Sequence, residues 1–350
     1  MPKVDLSWEQ LGVELGEWER KLASGHATLR EAADVRPGCS ARRLLHTAGR
    51  ARLYRYEATN PDPLAVPTLV VYALVNRPTM ADLEPERSLV RSLLALGVDV
   101  HLIEWEDPTG LDCASGLSDY IERDLGACVD FLAAAGRGVN LVGICQGGTF
   151  ALCYAALHPD KVRNLVVTVT PVDFHTPDDT LSHWLRHVDL DLLGSGNLPG
   201  DLLNALFLAL KPMRLTQQKY VGLVDQLGAR HAVETFMRME HWIFDSPDLA
   251  GGALREFAQR FYRDNQLVRG GLEIGGKPVA LAALTMPVLN IYAAEDHLVP
   301  PAASRALGGK VGSRDYTELE VAGGHIGIYV GGRAREQVAG AIAGWLAARR

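Results

Sequence analysis

The sequence predicts an α/β fold, in which a mostly parallel, doubly wound sheet is interrupted by a helical insertion before its last strands. The first observation is that short, nearly all-apolar runs rich in β-branched residues alternate with helical segments, as in parallel sheets covered by helices on both faces. The second is that this alternation stops after residue 170 and resumes near residue 286. The stretch between them contains several helical patterns and almost no strand pattern.

The N-terminal segment, residues 1–50, is predicted to be helical. Within it Ser7–Ala23 begins with a serine followed three residues later by Gln10, which is a capping-box pattern, and its apolar residues fall on one helix face. Such a helix packs on the body of the protein or binds a partner, and the pattern is compatible with both.

Residues 51–170 are predicted to form the first part of the core. The predicted strands are 51–57 (an edge strand), 67–75, 98–105, 139–144 and 164–170, and the predicted helices are 86–96, 117–135 and 147–157. Residues 286–350 complete the core with strands over 286–293 and 315–322 and a helix over 335–346.

Residues 171–285 are predicted to form a helical cap between the two parts of the core. Leu198–Met213 is apolar on nearly every side, so this helix is expected to be buried or to cover an apolar surface. A cap in this position is placed to keep water away from a site at the carboxyl edge of the sheet.

Composition and charge exclude some classes of function and favour one cellular compartment. The 35 basic and 42 acidic residues give a net charge of −7, which argues against a nucleic-acid-binding protein. The first residues lack the apolar core of an export signal, and no run approaches the length of a membrane span. Five cysteines without a C-x-x-C pair predict neither a disulfide framework nor a structural zinc site, which favours a reducing cytoplasm.

One cysteine occupies the position of a catalytic nucleophile. Gly143-Ile144-Cys145-Gln146-Gly147 follows a predicted strand and begins a predicted helix, which is the setting of a nucleophile elbow. The turn is strained and needs small neighbours, and the helix N-terminus favours a thiolate. The other four cysteines, Cys39, Cys113, Cys128 and Cys153, are expected to be small core residues.

An acid and a base follow in the order of the α/β-hydrolase fold. Asp296 comes after the first strand of the second core part and His325 after the next, flanked by glycines. His297 is the alternative base, but it shares a turn with Asp296, so a supporting role is favoured. Glu295 is the alternative acid, disfavoured because its side chain alternates away from the site. Cys145, Asp296 and His325 are therefore the predicted catalytic residues.

The predicted oxyanion site consists of backbone donors. The N–H of Gln146 faces the oxyanion, and the second donor is expected from the loop after strand 67–75, near Val75 and Asn76. No metal or resident cofactor is expected. His183 and His187 have helical metal-ligand spacing, but they lack the glutamate and the third ligand of a zinc-protease motif.

Sulfur rather than oxygen in the elbow favours acyl transfer. A cysteine holds an acyl group as a thioester, so transfer from an acyl-coenzyme A is close to thermoneutral, and passage to an alcohol is downhill. Sulfur therefore suits acyl transfer from coenzyme A better than plain hydrolysis.

Several segments resemble the catalytic subunits (PhaC-type) of class III polyhydroxyalkanoate synthases. They are VVYALVNRPTMADLEPERS (Val70–Ser88), LVGICQGG (Leu141–Gly148), VTPVDFHTP (Val169–Pro177), FYRDNQLVRGGLEIGG (Phe261–Gly276), PVLNIYAAEDHLVPP (Pro287–Pro301) and GGHIGIYV (Gly323–Val330). The resemblance covers the chain from about residue 67 onward.

The resemblance implies polymerisation of (R)-3-hydroxyacyl-coenzyme A, usually short-chain such as 3-hydroxybutyryl, with coenzyme A released as part of the substrate. It implies that His325 deprotonates Cys145 and that Asp296 helps to activate the 3-hydroxyl, whereas the residue pattern alone has Asp296 orient His325. A homodimer, a second non-catalytic subunit (PhaE-type, less so the PhaR-type of class IV) and residence on cytoplasmic polymer granules are also implied. The alternatives are a thiol-dependent hydrolase or thioesterase of this fold and a catalytically silent granule scaffold.

Overall fold

An eight-stranded sheet forms the centre of the computed structural model. The structure describes residues 34–134, 136–190, 196–210 and 219–349, together with residues 13, 16–17 and 28–32. In chain order the strands of this sheet are β1 (Arg42–Ala48), β2 (Ala51–Tyr56), β3 (Thr68–Val71), β4 (Val100–Trp105), β5 (Val139–Ile144), β6 (Val162–Thr168), β7 (Val288–Ala293) and β8 (Tyr316–Val321). Their order across the sheet is β1-β2-β4-β3-β5-β6-β7-β8.

Most of this sheet is parallel. Strand β2 pairs antiparallel with β1 and β4. From β4 across the sheet to β8, in the order β4-β3-β5-β6-β7-β8, each adjacent pair is parallel. Because parallel strands end at the same edge, the loops that follow β3, β5, β7 and β8 meet there. The predicted fold class is confirmed.

Helices cover both faces of the sheet. In chain order they are α1 (Leu89–Ala95), α2 (Gly126–Ala133, preceded by a π-helical segment Asp119–Leu125), α3 (Gln146–Leu157), α4 (Thr180–Leu185), α5 (Gly200–Leu210), α6 (Lys219–Gln226), α7 (Arg230–Phe244), α8 (Gly251–Phe257, followed by a π-helical segment Ala258–Arg263), α9 (Gln266–Arg269), α10 (Pro301–Arg305), α11 (Gly327–Val330) and α12 (Gly332–Ala347). None of the described helices is long and apolar enough to cross a membrane.

Two hydrophobic cores lie on the two faces. Leu69 and Val71 of β3 pack with α2 and α3, whereas Val70 between them packs with α1 and α12. Alternate residues of a strand point to opposite faces, so a strand buried on both sides must be apolar throughout. This explains the uninterrupted apolar runs of the sequence.

Helices α4 to α9 form the insertion between β6 and β7. Among the described residues of the insertion, the strand structure is a short hairpin of Glu273–Ile274 with Lys277–Pro278 and a single bridge between Leu198 and Leu249. The insertion extends over the carboxyl edge of the sheet, because its side chains line the same cavity as the loops that end there.

The prediction that the N-terminal segment, residues 1–50, is helical is wrong at the C-terminal end of that segment. Residues 42–48 form β1, the edge strand, so β2 is an inner strand and not the edge. No residue of strand β1 is fully buried, and the strand carries Arg42, Arg43 and His46, so its sequence lacks the clear alternation of a half-buried strand. The predicted helix over Ser7–Ala23 lies outside the described residues except for three helical positions, Val13, Gly16 and Glu17.

The apolar helix of the insertion is not buried on every side. In α5 the side chains of Leu202 and Leu206 are 50% and 44% exposed, whereas Phe207 and Leu208 line the cavity. The second of the two sequence expectations therefore applies, since one face of this helix covers an apolar space.

Candidate active site

Cys145 lies at the junction of β5 and α3 in a strained turn. Its backbone has φ 54° and ψ −126°, a conformation that residues other than glycine rarely adopt. Two hydrogen bonds hold it: its N–H donates to the carbonyl of Thr168 at 3.0 Å, and its own carbonyl accepts from the N–H of Gly148 at 2.9 Å. The half-buried thiol faces a cavity at the carboxyl edge of the sheet.

The glycines around Cys145 leave no room for a side chain. A Cβ atom on Gly143 would lie 2.3 Å from the Cα of Gly148, and one on Gly147 would lie 2.2 Å from the carbonyl oxygen of Val71. A Cβ on Gly148 would lie 1.8 Å from the hydroxyl oxygen of Thr170. The turn therefore requires these glycines because β3, β5 and α3 pack backbone against backbone.

The other cysteines are in different surroundings. Cys128 and Cys153 are buried in the core, and burial raises the pKa of each thiol to about 12. Cys113 is half-buried. The prediction that Cys39 is a core residue is wrong: it is exposed, and its thiol donates to Asp82 Oδ1 at 3.1 Å. Partial burial and Asp82 raise the pKa of Cys39 to about 11, which makes it a poor nucleophile.

Asp296 and His325 form a buried pair next to Cys145. The His325 Nδ1 atom lies 2.7 Å from Asp296 Oδ2, and the two side chains are 7% and 0% exposed. Asp296 Oδ1 accepts from the backbone N–H groups of Leu298 and Val299, both at 2.9 Å. Both carboxylate oxygens are thus engaged, and the ring of His325 is held by its Nδ1 atom.

The electrostatics of His325 are set by its two neighbours. Burial alone lowers the pKa of the imidazole, but the carboxylate of Asp296, which is hydrogen-bonded to the ring, and the nearby sulfur of Cys145 outweigh it and raise that pKa to about 10. Since Nδ1 is occupied by Asp296, the ring offers Nε2 to the sulfur. The structure therefore brings Cys145 and His325 together at one cavity, with Asp296 hydrogen-bonded to the ring of His325.

The two alternative residues lie beside these three. Glu295 is exposed and contributes to the lining of the cavity, although its side chain was expected to point away, and its N–H donates to the carbonyl of Gly323 at 2.9 Å. His297 is half-buried and lines the cavity. It is His325, however, that pairs with Asp296.

The predicted oxyanion donors line the same cavity. Gln146 is the first residue of α3, where a backbone N–H has no carbonyl partner within its own helix. Asn76 has φ 60° and, like Val75, faces the cavity from the loop after β3. The sequence did not reveal how this loop is held: the side-chain oxygen of Gln146 accepts from the N–H of Leu74 at 3.0 Å, and Trp242 of α7 donates to the carbonyl of Arg77 at 2.7 Å.

The cavity has a volume of about 450 Å³ and mostly apolar walls. The sheet edge and the insertion both contribute bulky side chains to it, among them Tyr72, Met80, Phe207, Met239, Trp242, Phe257, Tyr262 and Tyr329. Its polar contributors include Asn204, a lone asparagine in the apolar helix α5 that sequence reasoning missed. A single asparagine within the otherwise apolar run LLNALFLAL was the sequence feature that could have indicated this residue.

No metal-binding cluster of three or more ligating side chains is found in the described part of the chain. His183 lies in α4 and His187 just beyond it, and both side chains are exposed.

Comparisons with known proteins agree with this architecture. The sequence model of the alpha/beta hydrolase fold matches residues 84–332. A monoacylglycerol lipase from Paleococcus ferrophilus is similar in structure, with a TM-score of 0.52 over 85% of this chain and 99% of that chain at 18% identity. At that identity the likeness shows the fold alone.

Two relatives of known name match nearly the whole chain. The poly(3-hydroxyalkanoate) polymerase subunit PhaC of Allochromatium vinosum is 51% identical over 98% of this chain and 98% of its own length. The protein of the same name from Thiocystis violacea is 48% identical over 99% of both chains. On this identity and coverage, the chain belongs to the family of poly(3-hydroxyalkanoate) polymerase subunits named PhaC, within the alpha/beta hydrolase fold.

Proposed function

We propose that this chain polymerises (R)-3-hydroxyacyl groups supplied as coenzyme A thioesters and carries them as thioesters on Cys145. Its similar relatives are named poly(3-hydroxyalkanoate) polymerase subunits. The observation that supports the chemistry is the placement of Cys145 on a strained turn, at the same cavity as a histidine that is itself paired with a buried aspartate.

The first half-reaction loads the sulfur. His325 takes the proton of Cys145, and the thiolate attacks the carbonyl carbon of the substrate thioester. The N–H of Gln146 and an N–H of the Val75–Asn76 loop stabilise the oxyanion that forms. The tetrahedral intermediate then breaks its bond to the coenzyme A sulfur, which leaves with the proton held by His325. One thioester replaces another, so little free energy is lost.

The second half-reaction makes the ester. The 3-hydroxyl of one acyl group attacks the carbonyl carbon of the other, His325 removes the hydroxyl proton, and the thiolate leaves. An oxygen ester replaces a thioester, which makes this step downhill. Coenzyme A enters as part of the substrate and leaves as product, so we propose no resident cofactor.

Asp296 acts in this scheme by orienting His325 and stabilising its protonated form. Support comes from the contacts of its carboxylate: Oδ2 holds His325 Nδ1, and Oδ1 accepts two backbone N–H groups. An aspartate that activated the substrate hydroxyl directly would need an oxygen facing the cavity, and the Asp296 side chain is fully buried.

The cavity walls favour chain growth over hydrolysis. Water that reaches the loaded sulfur would release the acyl group, and an apolar enclosure formed by the sheet edge and the insertion restricts water there. Trp242, Phe257 and Tyr262 contribute to a space of about 450 Å³. We propose short acyl groups such as 3-hydroxybutyryl as substrates because the resemblance to class III synthases implies them.

We further propose that the protein works as a homodimer with a second, non-catalytic subunit of the PhaE type rather than the PhaR type, on polymer granules in the cytoplasm. The names of its relatives describe them as subunits, which supports a multi-subunit enzyme.

The test uses the purified chain, with and without a co-expressed partner subunit, and 3-hydroxybutyryl-coenzyme A. Coenzyme A release, polymer mass and acyl attachment to the protein are measured together. Cys145→Ala is expected to abolish acyl attachment and polymer, and Cys145→Ser to lower the rate at least about a thousandfold. Cys39→Ser, at the exposed thiol, is the matched control and should leave all three readouts unchanged.

Two outcomes would contradict the proposal. Coenzyme A release without polymer, in the presence of the partner, would identify a thioesterase. Acyl attachment that survives in Cys145→Ala would show that the nucleophile lies elsewhere.

A further inference from the structure

One buried amide on the cavity wall has incomplete hydrogen bonding. Asn204 of α5 is 5% exposed and lines the cavity together with Cys145 and His325. Its Oδ1 atom lies 2.6 Å from the hydroxyl oxygen of Ser246, whereas its Nδ2 atom has no hydrogen-bond partner. Eight buried side-chain atoms of the described residues lack a partner, and among their residues only Asn204 lines this cavity. An unpaired buried polar group is costly, so a ligand that pairs it is favoured.

The contacts around Asn204 define what this ligand must offer. The hydroxyl of Ser246 also lies 2.5 Å from Oδ1 of Asn76. A hydroxyl has one proton, so it donates to one of the two amides and accepts from the NH₂ of the other. Either arrangement leaves Asn204 with one unpaired amide atom, an NH₂ in one case and a carbonyl in the other. A hydroxyl group both donates and accepts, and it therefore satisfies both arrangements.

The amide lies close to the loop on which the thioester carbonyl is expected to bind. Ser246 links Asn204 to Asn76, on the loop where the thioester carbonyl is expected to bind. In a 3-hydroxyacyl thioester the hydroxyl is carried two carbons from that carbonyl. Asp296 has both carboxylate oxygens engaged elsewhere, which leaves the hydroxyl in need of another partner.

We propose that Asn204 binds the 3-hydroxyl of the incoming acyl group and makes the site selective for hydroxyacyl thioesters over plain acyl thioesters. This inference rests on the proposed function. A site that holds a buried hydrogen-bonding group discriminates strongly against a substrate that lacks the matching hydroxyl, because the buried group is then left unpaired.

The experiment measures single-turnover acylation of Cys145 by (R)-3-hydroxybutyryl-coenzyme A and by butyryl-coenzyme A, using rapid quench and intact-protein mass spectrometry. The wild-type chain is expected to react about ten to a hundred times faster with the hydroxyacyl thioester. Asn204→Leu keeps a similar volume and removes both amide atoms. It should bring that ratio close to one by slowing the hydroxyacyl reaction alone.

Two further variants sharpen the test. Leu202→Asn, on the exposed side of the same helix, is the matched control and should keep the wild-type ratio. Ser246→Ala leaves the Asn204 amide in place but removes its anchor, so the ratio should fall about threefold to tenfold. If Asn204→Leu does not fold, the ratio measured for Ser246→Ala still tests the inference.

The inference is overturned if Asn204→Leu keeps the ratio, if it slows both thioesters equally, or if Ser246→Ala leaves the ratio unchanged. Wild-type protein that is acylated without preference would reject the role of Asn204 and leave the proposed function intact. Wild-type protein that neither thioester acylates would reject both.

Discussion

At the scale of single residues, the chemistry depends on side chains whose geometry is fixed by their neighbours. The pKa of His325 is raised to about 10 by Asp296 and Cys145 although burial opposes this. The Asp296 carboxylate owes its fixed orientation to two backbone N–H groups in its own turn. The imidazole is thus held in a fixed orientation at the cavity that Cys145 lines before any substrate arrives, and its raised pKa favours the state in which it carries the proton of the thiol.

Asp296→Asn separates the two roles considered for this residue. If Asp296 orients His325, the amide donates to Nδ1 and fixes the wrong tautomer, so loading of Cys145 and chain elongation should both slow about 10²- to 10⁴-fold. The pKa of His325 should also fall from about 10 toward or below its ordinary 6.5, because burial then acts without the carboxylate. Rapid-quench acylation, polymer yield and an NMR titration of His325 provide the readouts.

An Asp296→Asn variant that loads Cys145 at the normal rate but does not elongate would contradict the orienting role. That result would assign Asp296 to activation of the substrate hydroxyl. Asp99→Asn, at a carboxylate that pairs with Arg55 away from the cavity, is the control and should change neither step.

At the scale of elements, the site depends on the ends of parallel strands. Cys145 follows β5 directly, and Asp296 and His325 follow β7 and β8 within a few residues, so the topology brings three distant sequence segments to one edge. The start of α3 touches the end of β3 so closely that only glycine fits between them. Strand, turn and helix therefore act as one rigid support for the sulfur.

Two glycine substitutions test this support. Gly147→Ala places a Cβ against the carbonyl oxygen of Val71 and should lower the free energy of unfolding by about 1–3 kcal/mol or more and abolish acylation of Cys145. Gly340→Ala, at an exposed position of α12 with open space around it, should raise stability by about 0.5–1 kcal/mol and leave activity unchanged. Chemical denaturation and the acylation assay measure both. Equal effects of the two substitutions would show that the close packing at Gly147 is unimportant.

At the scale of the whole molecule, the insertion is fastened to the core by a buried carboxylate. Glu84 is 1% exposed; its two oxygens accept from Thr235 at 2.8 Å and from Arg238 at 2.9 Å, both on α7. Arg87, on the core side, also pairs with Glu84, with its Nε atom 3.1 Å from Glu84 Oε1. Because α7 also carries Trp242 and Met239 to the cavity wall, this contact helps to set how the insertion covers the site.

Arg238→Leu removes one partner of the buried Glu84. Arg87 and Thr235 remain, so we expect a loss of about 1–3 kcal/mol, less than for an isolated buried charge, together with faster hydrogen exchange in α7 and more thioester hydrolysis per ester bond formed. Arg230→Leu on the same helix removes a cation that is 68% exposed and should cost less than about 0.5 kcal/mol. If both variants behave alike in exchange and hydrolysis, Glu84 does not fasten the insertion.

The sequence by itself determined the features that depend on neighbours along the chain. The apolar runs predicted the inner strands β3, β5 and β7, the glycine-flanked cysteine predicted the turn between β5 and α3, and the resemblance predicted the family. Strand β1 escaped prediction because an exposed edge strand has no buried face to impose alternation.

Only the tertiary structure decided which distant side chains meet. Ser246 lies 170 residues from Asn76, and Glu84 lies 154 residues from Arg238, yet each pair shares a hydrogen bond. The periodicity of a sequence reports which face of an element is apolar, but it does not report which polar groups of two elements come to lie opposite each other. That pairing follows from how the insertion packs on the sheet edge, and it left the Asn204 amide facing the cavity with a hydrogen bond still to be made.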